Sequence, residues 1–158
     1  MLPLYLLITS VVLSSLHAFV AKRADPTKNF TPILLAYLIF FNIGIMGLLG
    51  FYGHAFMADE IARLIGWPTG SPFQSEIAAA NLSYGVIGVI APFMKRPFWY
   101  ATIIGNAVFL IGALVVHIHQ YFAFGNIDPY NIGVFVWVDD LIVPLILLFL
   151  GMKVSRQD

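Results

Sequence analysis

Cysteine is missing from all 158 residues. That excludes disulfides, thiolate metal sites, cysteine-held iron–sulfur clusters and thiol nucleophiles. Charge is almost as scarce: Asp, Glu, Lys and Arg make up 10% of the chain, where an ordinary soluble domain carries roughly 25%. Eight acidic and eight basic residues cancel, and the basic ones form no stripe, so nucleic acid finds no electrostatic footing. No short-spaced ligand motif of the HExxH kind is present, and neither an internal repeat nor a low-complexity tail is evident.

Apolar surface, by contrast, is abundant. Hydrophobic residues make up 60% of the chain, more than a soluble fold of this size can hide. They come in runs of about 20 residues, the length a helix needs to cross a bilayer core. Stretches such as Pro32–Leu49 and Tyr100–Val116 lack the in–out alternation of a membrane barrel strand. The expected fold is all-α: an integral membrane helical bundle forming one transmembrane domain over residues 1–158. Five spans are expected at about 2–21, 31–56, 73–94, 98–124 and 132–152. The first has no positive n-region and no small-residue cleavage site, so it is read as a retained span and not as a signal peptide.

Between the second and third spans, Met57–Ile65 is too short and too charged to cross. Asp59, Glu60 and Arg63 fall on one side of it, with Ile61, Leu64 and Ile65 on the other, which suits a short interfacial helix. Trp67 then stands where an interfacial aromatic anchor is expected. Glycines at 44, 47, 50 and 53 form a small-residue ridge on span two, against which a neighbouring helix can pack closely.

Basic residues orient the bundle. Lys22, Arg23, Lys28, Lys95, Arg96, Lys153 and Arg156 fall on one side, and only Arg63 on the other. Because positive charge is retained in the cytoplasm, the N-terminus is expected outside and the C-terminus inside, in a plasma (inner) membrane.

Depth can then be counted at about 1.5 Å per residue. His54, Glu76 and His117 lie near the outer ends of their spans, and Asp139 and Asp140 roughly two turns into the last one. Four helices thus bring ionisable groups to the same half of the bilayer, where each is costly against lipid. The expected pocket comprises His54, Glu76, His117 and Asp140, with Asp139, Gln120 and Asn81 beside it. Helical phase turns His117 and Gln120 inward and sets Asp139 about 100° round from Asp140; His119 faces the interface or a partner. A proton, a cation or a histidine must balance the two carboxylates. Each group also has a simpler reading: Glu76 as a helix-terminal carboxylate, and the histidines as hydrogen-bonded glue between helices. His54, Glu76, His117 and Asp140 have the nitrogen and oxygen chemistry of a divalent metal site for zinc, manganese or iron. A haem between His54 and His117 is a further alternative.

One stretch has a familiar look. Gly-His-Ala-Phe-Met-Ala-Asp from Gly53, Ile-Gly-Trp-Pro from Ile65, Ser-Pro-Phe-Gln-Ser-Glu from Ser71 and Ala-Asn-Leu-Ser-Tyr-Gly from Ala80 resemble the DoxX-like small membrane proteins, in particular an uncharacterised branch of unknown function. The resemblance covers about residues 40 to 120. It implies a four-helix membrane core with a glutamate at the start of a helix, matched by Glu76, and then small residues, matched by Gly85-Val86-Ile87-Gly88. It also implies a membrane subunit, some relatives being linked to thiosulfate:quinone oxidoreduction or redox-stress complexes. The expected function is therefore a ligand-binding or accessory subunit, in contact with lipid and with other membrane subunits or its own copies, with a quinone-like ligand or a divalent metal in the pocket. The alternatives are a membrane-embedded enzyme with a metal or acid–base site, and a proton-linked transporter or channel.

Overall fold

The computed structural model describes residues 1–156. Five helices are long and apolar enough to cross a membrane: α1 (Leu2–Ala24), α2 (Phe30–Phe56), α4 (Phe73–Phe93), α5 (Arg96–Phe124) and α6 (Pro129–Ser155). The short α3 (Ala58–Ile65) lies between the second and third of them. No strand occurs among the described residues. This is a multi-pass helical membrane protein, and its outward faces are greasy in keeping: Val108, Val115 and Phe122 on α5, and Leu16 and Phe19 on α1, are largely exposed.

Chain breaks follow local chemistry. The linker after α1 is organised by Asp25, which accepts from the hydroxyl and the amide of Thr27 (2.7 and 3.0 Å) and approaches Lys28 at 3.9 Å. The Thr27 hydroxyl, then its amide, hold the Asp25 carboxyl below its usual range. Asn29 caps α2 by accepting from the amide of Thr31. Gly66, at φ +78°, ends α3 in the left-handed region that a side chain would strain.

Packing divides the bundle into two halves. At the end where Lys95, Arg96 and Lys153 gather, α2, α5 and α6 close a solid apolar core around Leu35, Ile39, Ile103, Val143 and Leu147. In the opposite half, α2 lies directly on α4. A methyl group added at Gly47 would come within 2.6 Å of the Gly85 amide nitrogen, and one at Gly85 within 2.7 Å of the Leu48 amide nitrogen. The glycine ridge is thus a backbone-on-backbone seam.

Two stretches widen into π-type turns, Ile39–Ile45 in α2 and Trp137–Ile142 in α6. The second ends just before Pro144, which has no N–H to return to the carbonyl of Asp140 four residues earlier. A wider turn places consecutive residues at a smaller angle than an α-helix does. Asp139 and Asp140 both lie within these turns and both are buried, each 6% exposed, so burial on α6 is not confined to the Asp140 face.

Candidate functional site

Where the second half of the bundle stays unfilled, it holds a partly open cavity of about 450 Å³, a volume suited to a small ligand. All six helices reach it, with Leu2 from α1 and Ile61 from α3, and apolar and aromatic side chains dominate its walls. His54, Gln74, Asn81, His117, Asp139 and Asp140 converge on it.

The hydrogen bonds fix which atoms remain free. Asn131 is fully buried and donates its amide to the carbonyls of Asn126 (2.8 Å) and His117 (3.3 Å). Its oxygen therefore faces Nδ1 of His117, which donates to it at 2.9 Å. Nε2 of the neutral ring is left as an acceptor, 3.9 Å from Oδ2 of Asp140. That is too long for a hydrogen bond but close enough for the pair to share one proton after a small shift. On the opposite wall, Nδ1 of His54 donates to Oε1 of Gln74 at 2.6 Å, which again leaves Nε2 free. Asn81 spends its amide on the carbonyl of Ile77, and its oxygen lies over Gly50. Oδ1 of Asp139 is buried without a hydrogen-bond partner, a costly state for an acceptor.

Trp67, expected as an interfacial anchor, is half-buried and turns its ring toward the bundle. Its ring stacks on His117 (5.7 Å between centroids, 18° between planes) and packs against Phe73 at 5.8 Å. It is held there because Asn126 donates to the carbonyl of Ile65, and because Gly66 abuts the side chains of Asn126 and Asp128. The roof of the cavity and the α5–α6 turn are thereby one hydrogen-bonded unit that ends on His117.

Not every expected site residue joins this cluster. Glu76 is exposed on the first turn of α4 and does not line the cavity. Gln74, two residues earlier and 3% exposed, holds the inward position. A carboxylate at a helix N-terminus is stabilised by the helix dipole and by water, whereas a neutral amide tolerates burial once bonded. Gln120 is half-buried outside the cavity wall, and His119 is exposed with its ring against Phe124 at 5.9 Å. Among the described residues no three His, Asp or Glu side chains come close enough together to hold a metal. Phase reasoning on the sequence overlooked Gln74, Asn131 and Trp67. The buried amides give no charge signal, although Asn131 stands beside the turn-forming Pro129 on the span next to His117.

Over residues 1–158 the chain matches the family described as a family of unknown function, DUF6790, and it belongs to that family. Neither a curated protein nor a solved structure matches it.

Proposed function

We propose that this member of the family is a ligand-binding subunit of the plasma membrane, and that its site is the cavity under Trp67. The observation that carries the reading is the convergence of His54, His117, Asp139 and Asp140 on about 450 Å³ of largely apolar space. A core built only for packing would fill that volume and keep unpaired carboxylates out of it. The basic side of the bundle is then cytoplasmic and the site lies in the outer half of the bilayer, with the N-terminus outside. The resemblance to DoxX-like proteins extends the reading to a subunit that works beside other membrane proteins, in a redox or quinone-linked setting.

A second reading, proton-linked transport, draws support from polar contacts nearer the basic side. Asn42 donates to Ser10 at 2.9 Å, and Tyr37 meets His17 at 3.3 Å. These continue polar groups along the α1–α2 seam below the level of the cavity.

Ala113 lines the cavity, and Ala113→Phe should fill it. Protein extracted with its native lipid is expected to retain a small molecule, detected by mass spectrometry, that a folded Ala113→Phe variant no longer carries. Identical small-molecule profiles for the two proteins would reduce the cavity to a packing void.

Orientation has its own check, which the lack of native cysteine makes clean. Single cysteines at Thr69 and Asp128 are expected to react with an impermeant maleimide on intact cells, and one at Lys95 only after permeabilisation. Labelling of the Lys95 position on intact cells would invert the topology.

A further inference from the structure

We infer that the cavity takes a lipophilic organic cation, a protonated or quaternary amine on an apolar body, and rejects anions. This rests on the cavity being a ligand site, and it names the class of ligand from the inventory of its walls.

Asp139 and Asp140 carry the acidic groups there, and no Lys or Arg lines the space. Both carboxylates are more than nine-tenths buried, and among the described residues no donor lies within hydrogen-bonding distance of either, Oδ1 of Asp139 being buried without a partner. Nε2 of His54, Nε2 of His117 and the Asn81 oxygen add three more acceptors, since the other polar atoms of those side chains are already engaged. Opposing them are only neutral donors: the Gln74 amide, the Trp67 indole and the Tyr130 phenol. The surplus is of acceptors, and the two acids can ionise against an entering cation but not against an anion, so a carboxylate, a sulfonate or an oxidised quinone gains less there than an ammonium does.

A bare divalent ion is poorly served as well, because no three His, Asp or Glu side chains gather within reach of one point among the described residues, and such ions need several ligands at fixed distances. Aromatic rings make up much of the remaining wall: Trp67, Phe73, Phe109, Tyr130 and Phe135. Their faces attract diffuse positive charge, which is how quaternary ammonium groups are recognised. An acid pair in an aromatic, largely apolar chamber therefore suits an ammonium whose body is apolar. A neutral hydroquinone, which also donates hydrogen bonds, is the competing ligand.

The test is equilibrium dialysis of solubilised wild-type protein against protein-free micelles with four probes. These are phenethyltrimethylammonium, its uncharged isostere (3,3-dimethylbutyl)benzene, 2-phenylethanesulfonate and a small hydroquinone. The cation is expected to be retained at least about tenfold more tightly than its isostere, with no retention of the sulfonate. Asp140→Asn should bring the cation down toward the isostere. Equal or better retention of the isostere or the hydroquinone overturns the cation assignment while leaving a ligand cavity in place, and failure of the cation to bind folded wild type overturns it too. Whether the cavity is a ligand site at all is decided separately by the small molecules that copurify with wild type and Ala113→Phe.

Discussion

Gly47→Ala is expected to destabilise the protein in detergent by about 1–3 kcal/mol, the usual cost of forcing one extra group into a filled interior. The added methyl would sit 2.6 Å from the Gly85 amide nitrogen and 2.8 Å from the Asn81 carbonyl oxygen, and backbone cannot rotate aside as a side chain can. Gly47→Leu should leave little recoverable folded protein. Gly112→Ala is the control, because a Cβ there meets nothing within 4 Å. A mid-helix glycine replaced by alanine gains roughly 0.5–1 kcal/mol of conformational preference, so this variant should melt at or slightly above wild type. A Gly47→Ala protein that melts with Gly112→Ala, at or slightly above wild type, would show that helix propensity, and not the seam, governs the result.

The second large effect is expected at His117. Truncation to alanine leaves the buried Asn131 oxygen without its donor, at about 1–3 kcal/mol. It also removes the ring stacked under Trp67, worth about 0.5–1.5 kcal/mol. The single variant should therefore lose about 2–4 kcal/mol. Because Nε2 faces Asp140, His117→Ala combined with Asp140→Asn should lose clearly less than the sum of the two single changes, by the 0.5–3 kcal/mol typical of coupled neighbours. Thermal melts of the four proteins give the coupling directly, and additive losses would place the two residues in separate environments. With no three-ligand cluster among the described residues, added zinc or manganese and added chelator are expected to leave all four melts unchanged.

The elements most legible in the sequence are those that the bilayer itself dictates. A span must be long and apolar, so all five could be located to within a few residues at most ends. Met57–Ile65 was recognisable as a surface helix because its charges could not be buried. Glycines at intervals of three announced a close helix contact, although not which helix would supply the other surface; that proved to be α4 through Gly85 and Gly88. Inside the cavity the signal thinned. His117 and Asp140 stood out because ionisable groups in a span are rare, but Gln74 and Asn131 are neutral amides whose value lies only in what they touch. Glu76 attracted attention by its charge, and charge is also what keeps it at the exposed helix end. Asp139 was placed beside the pocket, about 100° round from Asp140, and a phase count alone did not show that both carboxylates of Trp137–Ile142 would be buried.

The glycine seam between α2 and α4 also decides which parts of the molecule can move. Two helices joined through side chains can slide or roll by exchanging rotamers, but two joined through backbone atoms behave as a single strut. One wall of the cavity, carrying Gly50, His54, Ile77 and Asn81, is in that sense a fixed jaw. The facing wall belongs to α5 and α6, and α6 is interrupted at Gly133 and again by the wide turns before Pro144. The two walls therefore differ in kind: the α2–α4 wall is locked backbone against backbone, and the α6 wall is the one whose helical ladder is broken twice.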